Sequence, residues 1–292
     1  MRSDAKIIHT GPSPRGWHRL QQAAECLQKY AYGYPDGLKG HDPETVKVKG
    51  PTSPPLAKGS LCHLALAQHY VRMKAEQEGT DVEDWCEPER AVRLIARLEK
   101  MEEHADLAID MLGKYRDHYP DDIHNMRIVE VESLYETTIA NKYRFTGRMD
   151  LVWEDKAGRI RTTDHKTTGR LTKRHPEYYT VSGQLIGYRH MGQQKWGDKF
   201  GGMHLNLIQH TGVMKFERMD LPRSPNIEAR FEQIVVDIEE SIGRMEAAGR
   251  RYDEWPKAIN ELTCYHRYGP CTYMSQCRHG AGALKSGNWL WE

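Results

Sequence analysis

Apolar and polar positions change their period several times along this 292-residue chain. From Ser13-Pro14 to Tyr30, the side chains of Trp17, Leu20, Ala24, Leu27 and Tyr30 recur at helical spacing, with Ser13 as N-cap and Pro14 in the first turn. This predicts one helix that carries Cys26. Pro35 to Pro55 is rich in Gly and Pro and reads as a loop. A second helical stripe starts near Pro54-Pro55 and runs through Leu61, Leu64, Ala65, Ala67 and Tyr70, carrying Gly59-Ser-Leu-Cys-His63. On a core-facing helix His63 alone reads as a structural histidine, and Cys62 as a small buried hydrophobe. Between Glu87 and Tyr119, Val92, Leu94, Leu98, Met101, Leu107, Ile109 and Leu112 predict one or two further amphipathic helices packed over the first pair.

At Met126 the period falls to two. Ile128, Val129, Val131 and Leu134 predict a strand, with Glu130 or Glu132 aimed at whatever the next two strands assemble. Those strands are Phe145-Thr-Gly-Arg-Met-Asp150-Leu-Val-Trp153 and Arg159-Ile-Arg-Thr-Thr-Asp164-His-Lys166-Thr-Thr-Gly169. The short turn Asp155-Lys-Ala-Gly158 joins them as a hairpin. Side chains two apart on a strand share a face, so Asp164 and Lys166 point the same way and pairing brings Asp150 beside them. Pro176 to Trp196 then reads as a helix with Gln184 and Tyr188 one turn apart on one face. Strands near 203–209 and 213–219 and a long helix over about 224–248 complete an α/β order.

Composition narrows the class. A hydrophobic content of 38% against 28% charged is that of a soluble globular protein. No apolar run has membrane-span length and the first residues lack the apolar core of a signal peptide, so a cytosolic location is expected, with no membrane partner. The net charge of +1 favours no partner, but its distribution does. Between Lys142 and Arg174 ten Lys/Arg stand against four acids, a basic stretch of the kind that meets a phosphate backbone or simply a solvated charged face.

An Asp-x-Lys triplet on a hairpin is, by itself, an ordinary surface ion pair. Two carboxylates and one ammonium on one patch gain a purpose if a hard divalent cation sits there, because Mg²⁺ or Mn²⁺ takes one or two carboxylates and keeps waters and phosphate oxygens as its other ligands. The lysine then orients or deprotonates the attacking water and offers positive charge to the transition state. These parts fit metal-assisted phosphodiester hydrolysis. A Gln184 amide and Tyr188 hydroxyl on the neighbouring helix can hold a DNA phosphate or base, though a core tyrosine with a surface glutamine is the simpler account of that pair.

Of six cysteines, Cys264, Cys271 and Cys277 crowd a short Gly/Pro-containing tail where packing gives them little reason to be. In a reducing compartment that points to metal. Cys26 as a fourth thiolate would complete an iron–sulfur site joining the two ends of the chain; His266 or His279 would instead complete a zinc site.

Gly59-x-x-x-His63, Gly147-Arg-Met-Asp150, Asp164-His-Lys166 and Gln184-x-x-x-Tyr188, in that order, resemble the RecB-type branch of the PD-(D/E)XK nuclease superfamily. Cys26 with Cys264, Cys271 and Cys277 resembles its iron–sulfur subgroup, which includes CRISPR-associated, AddB-like and phage exonucleases. The resemblance implies an α/β restriction-endonuclease-like core with a central mixed β-sheet flanked by helices. It also implies one nuclease domain over 1–292, with a helical portion at 13–120, a catalytic core at 126–250 and a Cys-rich end. It assigns His63, Asp150, Asp164 and the His165 carbonyl to Mn²⁺ or Mg²⁺, Lys166 to the water, and Gln184, Tyr188 and Arg148 to DNA. A [4Fe-4S] cluster is expected on the four cysteines, with zinc as the alternative. Asp164 stands where the superfamily at large more often has glutamate, and the Cys264–Cys271 spacing is longer than in the CRISPR-associated members, which favours a phage-type or stand-alone enzyme.

The expected activity is a metal-dependent DNA exonuclease acting on single-stranded ends or frayed duplexes, in a bacterial or phage-infected cytosol. DNA recombination, repair or CRISPR-type partner proteins and a homo-oligomer are compatible with it. The competing readings are a structure-selective endonuclease with the same site and a non-catalytic DNA- or zinc-binding scaffold.

Overall fold

Two short helices come first in the computed structural model, α1 (Trp17–Glu25) and α2 (Leu27–Gly33), followed by the long α3 (Pro54–Glu78). The described residues are 5–41, 53–266 and 269–280; residues 1–4 and most of the loop expected over 35–55 lie outside them. Next come α4 (Pro88–Leu98), α5 (Ala105–His118) and α6 (Asp122–Asn125). Strands β1 (Arg127–Ile139), β2 (Tyr143–Glu154) and β3 (Ile160–Thr168) follow, then α7 (His175–Thr180), α8 (Gly183–Trp196), β4 (Phe200–Gln209) and β5 (Lys215–Asp220). The last described elements are α9 (Pro225–Glu228), α10 (Phe231–Ala247), α11 (Glu261–Cys264), the two-residue strands β6 (Tyr265–His266) and β7 (Gly269–Pro270), and α12 (Met274–His279). Among the described residues no helix is long and apolar enough to cross a membrane.

Contacts divide the chain into two compact units, one of Met1–Pro14, Lys49–Thr137 and Phe145–Ala229, the other of Arg15–Val48, Thr138–Arg144 and Arg230–Glu292. The first holds the sheet, in order β1-β2-β3-β4-β5. β2 and β3 are antiparallel, β3 and β4 parallel, and β4 and β5 antiparallel, so the sheet is mixed as expected. The parallel step needs a crossover, which α7 and α8 supply. The predicted hairpin turn forms, with Asp155 Oδ1 accepting from the N–H groups of Ala157 and Arg159 and Gly158 in the left-handed region at φ 76°.

The face that each side chain takes decides which helix it meets, and β2 does not keep strict alternation between Gly147 and Leu151. Leu151 and Trp153 face a core shared with Leu61, Leu64 and Tyr70 of α3, Val92 of α4 and Met111, Leu112 and Tyr115 of α5. Full burial of each large apolar side chain there contributes roughly 1.5–3 kcal/mol. On the opposite face α8 comes very close to β2. A Cβ at Gly147 would lie 2.7 Å from Tyr188 Cε1 and 2.2 Å from Met191 Cε, so only glycine permits the approach.

The second unit has its own small core of Ala23, Tyr30, Ala31, Ile242 and Trp255, with Tyr30 stacked on Trp255 at 5.8 Å. Here the expected continuous helix from Ser13 to Tyr30 is corrected. Ser13 caps nothing and instead donates its hydroxyl to the Thr146 carbonyl at 3.0 Å, while the first helix begins at Trp17. Cys26 is extended, at φ −168° and ψ 117°, and breaks the helix in two. The Pro256 carbonyl accepts from Gln28 N–H at 2.9 Å just after the break. The helix expected over 176–196 is likewise broken at Val181-Ser182, and that over 224–248 at Ala229-Arg230.

Candidate active site

The ladder between β2 and β3 runs from Glu154↔Ile160 to Leu151↔Thr163 and stops there. One position further the strands part, and Asp150 Oδ2 takes the His165 backbone N–H at 2.8 Å instead of a ladder partner. Into this opening α3 brings His63, whose Nδ1 lies 3.4 Å from the same Asp150 Oδ2. α3 thus delivers to the carboxylates the histidine that the family resemblance assigns to the metal.

Asp164 is 1% exposed, and Lys166 Nζ lies 2.7 Å from its Oδ2. This is an ion pair and not a well-aimed hydrogen bond, because neither Asp164 oxygen has a partner of good geometry. Lys166 Nζ donates to Gln184 Oε1 at 3.1 Å, and Gln184 Nε2 donates to Tyr188 OH at 2.9 Å. The one-turn spacing on α8 thus becomes a chain of contacts ending at the lysine.

Glu132 is the residue the sequence left undecided against Glu130. Its backbone sits in the left-handed region, φ 49°, within an otherwise extended strand, and its side chain is 6% exposed. Arg148 donates to the Glu132 carbonyl at 2.8 Å and fixes this irregularity, whereas Glu130 accepts from Tyr135 OH at 2.5 Å. One ligand atom each from His63, Glu132 and Asp150 lie within 4.8 Å of one another, a grouping suited to a metal ion.

The electrostatics agree with that grouping. Burial, with Asp150 and Asp164 alongside, pushes Glu132 up to about 9 despite Arg148. Burial also raises Asp150, to about 6; Asp164 adds to this while His63 and Lys166 oppose it. Burial works against the Lys166 charge, but Asp164 and Asp150 more than offset it and hold the ammonium above its ordinary range. Crowded buried carboxylates, an Asp164 whose oxygens lack well-aimed hydrogen bonds and one imidazole are the donor set of a hard divalent cation, which would offset the burial and repulsion that raise Glu132 and Asp150. The residues fit the ion.

The His165 ring faces another environment. It is 2% exposed, stacks on Tyr70 at 5.9 Å with 7° between planes, and meets Asn206 Nδ2 through Nδ1 at 2.7 Å. Asn206 Nδ2 also donates to Tyr115 OH, which meets Tyr70 OH at 2.8 Å, and Tyr70 donates to Asp122. Arg218 closes the network on Asp122, Tyr70 and Tyr115. Nothing in the sequence pattern announced it.

A family model covers residues 17–278 and is that of the PD-(D/E)XK nuclease superfamily. The chain belongs to the PD-(D/E)XK nuclease superfamily. Members use divalent metals, and the donor set here fits one. Among solved structures, a candidate exonuclease from Eubacterium rectale is 15% identical, with 73% of each chain covered and a TM-score of 0.45. The protein SSO0001 is 19% identical over 49% of this chain and 69% of its own, with a TM-score of 0.29. No curated protein matches.

In the second unit of this superfamily member Cys26, Cys264, Cys271 and Cys277 are all free and partly buried. Burial raises the Cys277 thiol; Lys257 opposes this, and Cys26, Cys271 and Cys264 are each near enough to add to it. Cys271 N–H donates to the Cys264 carbonyl at 2.8 Å across the small β6–β7 turn. The side chain of His266 lies outside the described residues, and His279 is exposed. Cys62 and Cys86 are buried elsewhere, in the first unit.

Proposed function

We propose that the protein is a divalent-metal-dependent DNA exonuclease of the RecB-type branch, working on single-stranded ends or frayed duplexes. The observation that carries the reading is the meeting of His63, Glu132 and Asp150 where the β2–β3 ladder opens, with Asp164 and its ion pair to Lys166 alongside. His63, Glu132, Asp150 and Asp164, with the His165 carbonyl, would hold the ion. The chemistry supplied at such a centre is charge for the phosphodiester oxygens and activation of the attacking water. Lys166, kept as an ammonium by two carboxylates, stabilises the negative charge that develops on the phosphoryl group. Gln184 fixes the lysine and Tyr188 fixes Gln184. Arg148 acts by holding the Glu132 backbone.

The second part of the reading is a [4Fe-4S] cluster on Cys26, Cys264, Cys271 and Cys277. Its support is that all four cysteines belong to the second unit, Cys264 and Cys271 on either side of a two-strand turn, Cys26 at a helix break and Cys277 on α12, and that the other three are each near enough to Cys277 to act on its thiol. Anaerobically purified protein should be brown and contain iron and sulfide; colourless protein with bound zinc would overturn the cluster.

Linear DNA labelled at one end or the other, incubated with Mn²⁺ or with a chelator, tests the activity. Stepwise shortening with Mn²⁺ alone is expected, with circular single strands left intact. Cut circles would make the enzyme an endonuclease, and cleavage by well-folded Asp164→Ala would refute the site.

A further inference from the structure

Directly after the strand that carries Asp164 and Lys166, the chain runs over residues 169–182 with an unusual side-chain set. Arg170, Lys173, Arg174 and Tyr178 are exposed, and Glu177 is the only acid. None of the three cations forms an ion pair with any described residue. Tyr178 is 68% exposed and Val181 58% exposed. The Tyr178 ring and the Val181 side chain therefore stand in water on the same segment as three cations that pair with no described residue.

The segment is nevertheless held in place. His175 Nε2 lies 3.5 Å from Thr168 Oγ1 at the end of β3, and its Nδ1 accepts from Thr172 N–H at 2.9 Å. Tyr179 stacks on His175 at 6.5 Å, and Tyr178 stands edge-on to Tyr179 at 5.1 Å. At the far end the Thr180 carbonyl accepts from Ser224 Oγ at 3.0 Å. Tyr179 also lies near enough to Lys166 to act on its charge. The order outward from the catalytic lysine is therefore Tyr179, then the open ring of Tyr178, with the cations on the same short segment.

We propose that this segment is a single-strand platform: Tyr178 stacks on an unpaired base beside the scissile phosphate, and Arg170, Lys173 and Arg174 take the flanking phosphates. Aromatic faces interleaved with phosphate-binding cations are what an unpaired strand needs, whereas paired bases in a duplex offer no free face for Tyr178. The inference rests on the nuclease reading, because it takes its scissile phosphate from Lys166.

The test measures binding of a fluorescent oligo-dT in Ca²⁺, together with Mn²⁺-dependent hydrolysis of bis(p-nitrophenyl) phosphate, a diester with no base. Tyr178→Ala should weaken oligo-dT binding about 10-fold, a loss well beyond any change in hydrolysis of the small diester, while Tyr178→Phe restores binding. The double substitution Lys173→Ala/Arg174→Ala should lower the salt slope of binding by about 1.4. Wild-type protein that hydrolyses DNA while Tyr178→Ala binds oligo-dT as tightly as before overturns the platform alone. So does equal loss of both readouts, which marks a structural role. Wild-type protein that hydrolyses nothing, yet loses oligo-dT when Tyr178 is truncated, keeps the platform and overturns the nuclease reading.

Discussion

Replacing Glu132 by Gln keeps the shape of the side chain and removes its charge at the most crowded point of the acid cluster. In the folded chain, burial and the neighbouring Asp150 and Asp164 raise Glu132 from 4.5 to about 9. A carboxyl with a raised folded pKa contributes stability that is fully present below about pH 4.5 and is lost as pH climbs toward 9. Metal-free protein at pH 7 must therefore take up a proton at Glu132 or tolerate a buried charge. At 1.36 kcal/mol per pH unit the cost is about 3 kcal/mol, a ceiling because Asp150 competes for the same proton. Gln has no charged form and escapes this cost.

Urea unfolding of Glu132→Gln and wild type, in EDTA and in Mn²⁺ from pH 5 to pH 8.5, reads the balance directly. In EDTA the variant should be the more stable protein, by up to about 3 kcal/mol at pH 7, with the difference growing toward pH 8.5 and shrinking toward pH 5. Under saturating Mn²⁺ the order should reverse, because the ion stabilises only the chain that retains its ligand, and more so at higher pH as protons leave the site. A variant less stable than wild type in EDTA at pH 8, or equal stabilisation of both proteins by Mn²⁺, would refute the reasoning.

Three other outcomes follow from the same geometry. Cys271→Ser should lose iron and sulfide and melt at a lower temperature, since a metal centre that binds only the folded chain contributes its binding free energy to folding; an unchanged melting temperature in calorimetry would contradict the cluster as a staple. Arg218→Met strands Asp122 in the core and should cost about 3–5 kcal/mol in urea unfolding, whereas Arg218→Met with Asp122→Leu should cost clearly less, so additive losses would count against a buried pair. Gly147→Ala drives a methyl against the Tyr188 ring and should cost about 1–3 kcal/mol and slow cleavage through Gln184 and Lys166; wild-type rates would show that the α8 contact does not position the lysine.

Much of the site was legible because its signals are local. The Asp155–Gly158 turn fixes the β2–β3 hairpin, and a period of two then places Asp164 and Lys166 on one side and His165 on the other. Gln184 and Tyr188 share a helix face by spacing alone, and they do meet. Glu132 was only half legible. Glu130 and Glu132 have the same parity, and what separates them is a left-handed backbone at position 132 that Arg148 holds from the next strand. The breaks at Cys26 and at Val181-Ser182 were missed for a similar reason: helical periodicity continues through both, and the groups beside them, Pro256 and Ser224, come from far along the chain.

The largest gap is the network behind β3, and its residue separations explain why no pattern revealed it. Arg218 reaches Asp122 across 96 positions, Asn206 reaches Tyr115 across 91, and Tyr70 reaches Asp122 across 52. Tyr70 lies seven residues after His63 on α3, two helical turns on, so both project from one side of the helix. Its ring is stacked on His165, and the His63 ring meets the other side of that neighbourhood edge-on, at 6.1 Å. Holding Tyr70 therefore holds the rotation of α3, and with it the distance from His63 to Asp150. The middle residue of Asp164-His-Lys166 links these two levels: its backbone N–H orients Asp150, while its ring keys the strand to the buried tyrosines. Alternation along one strand thus couples the acid cluster to the core that positions it.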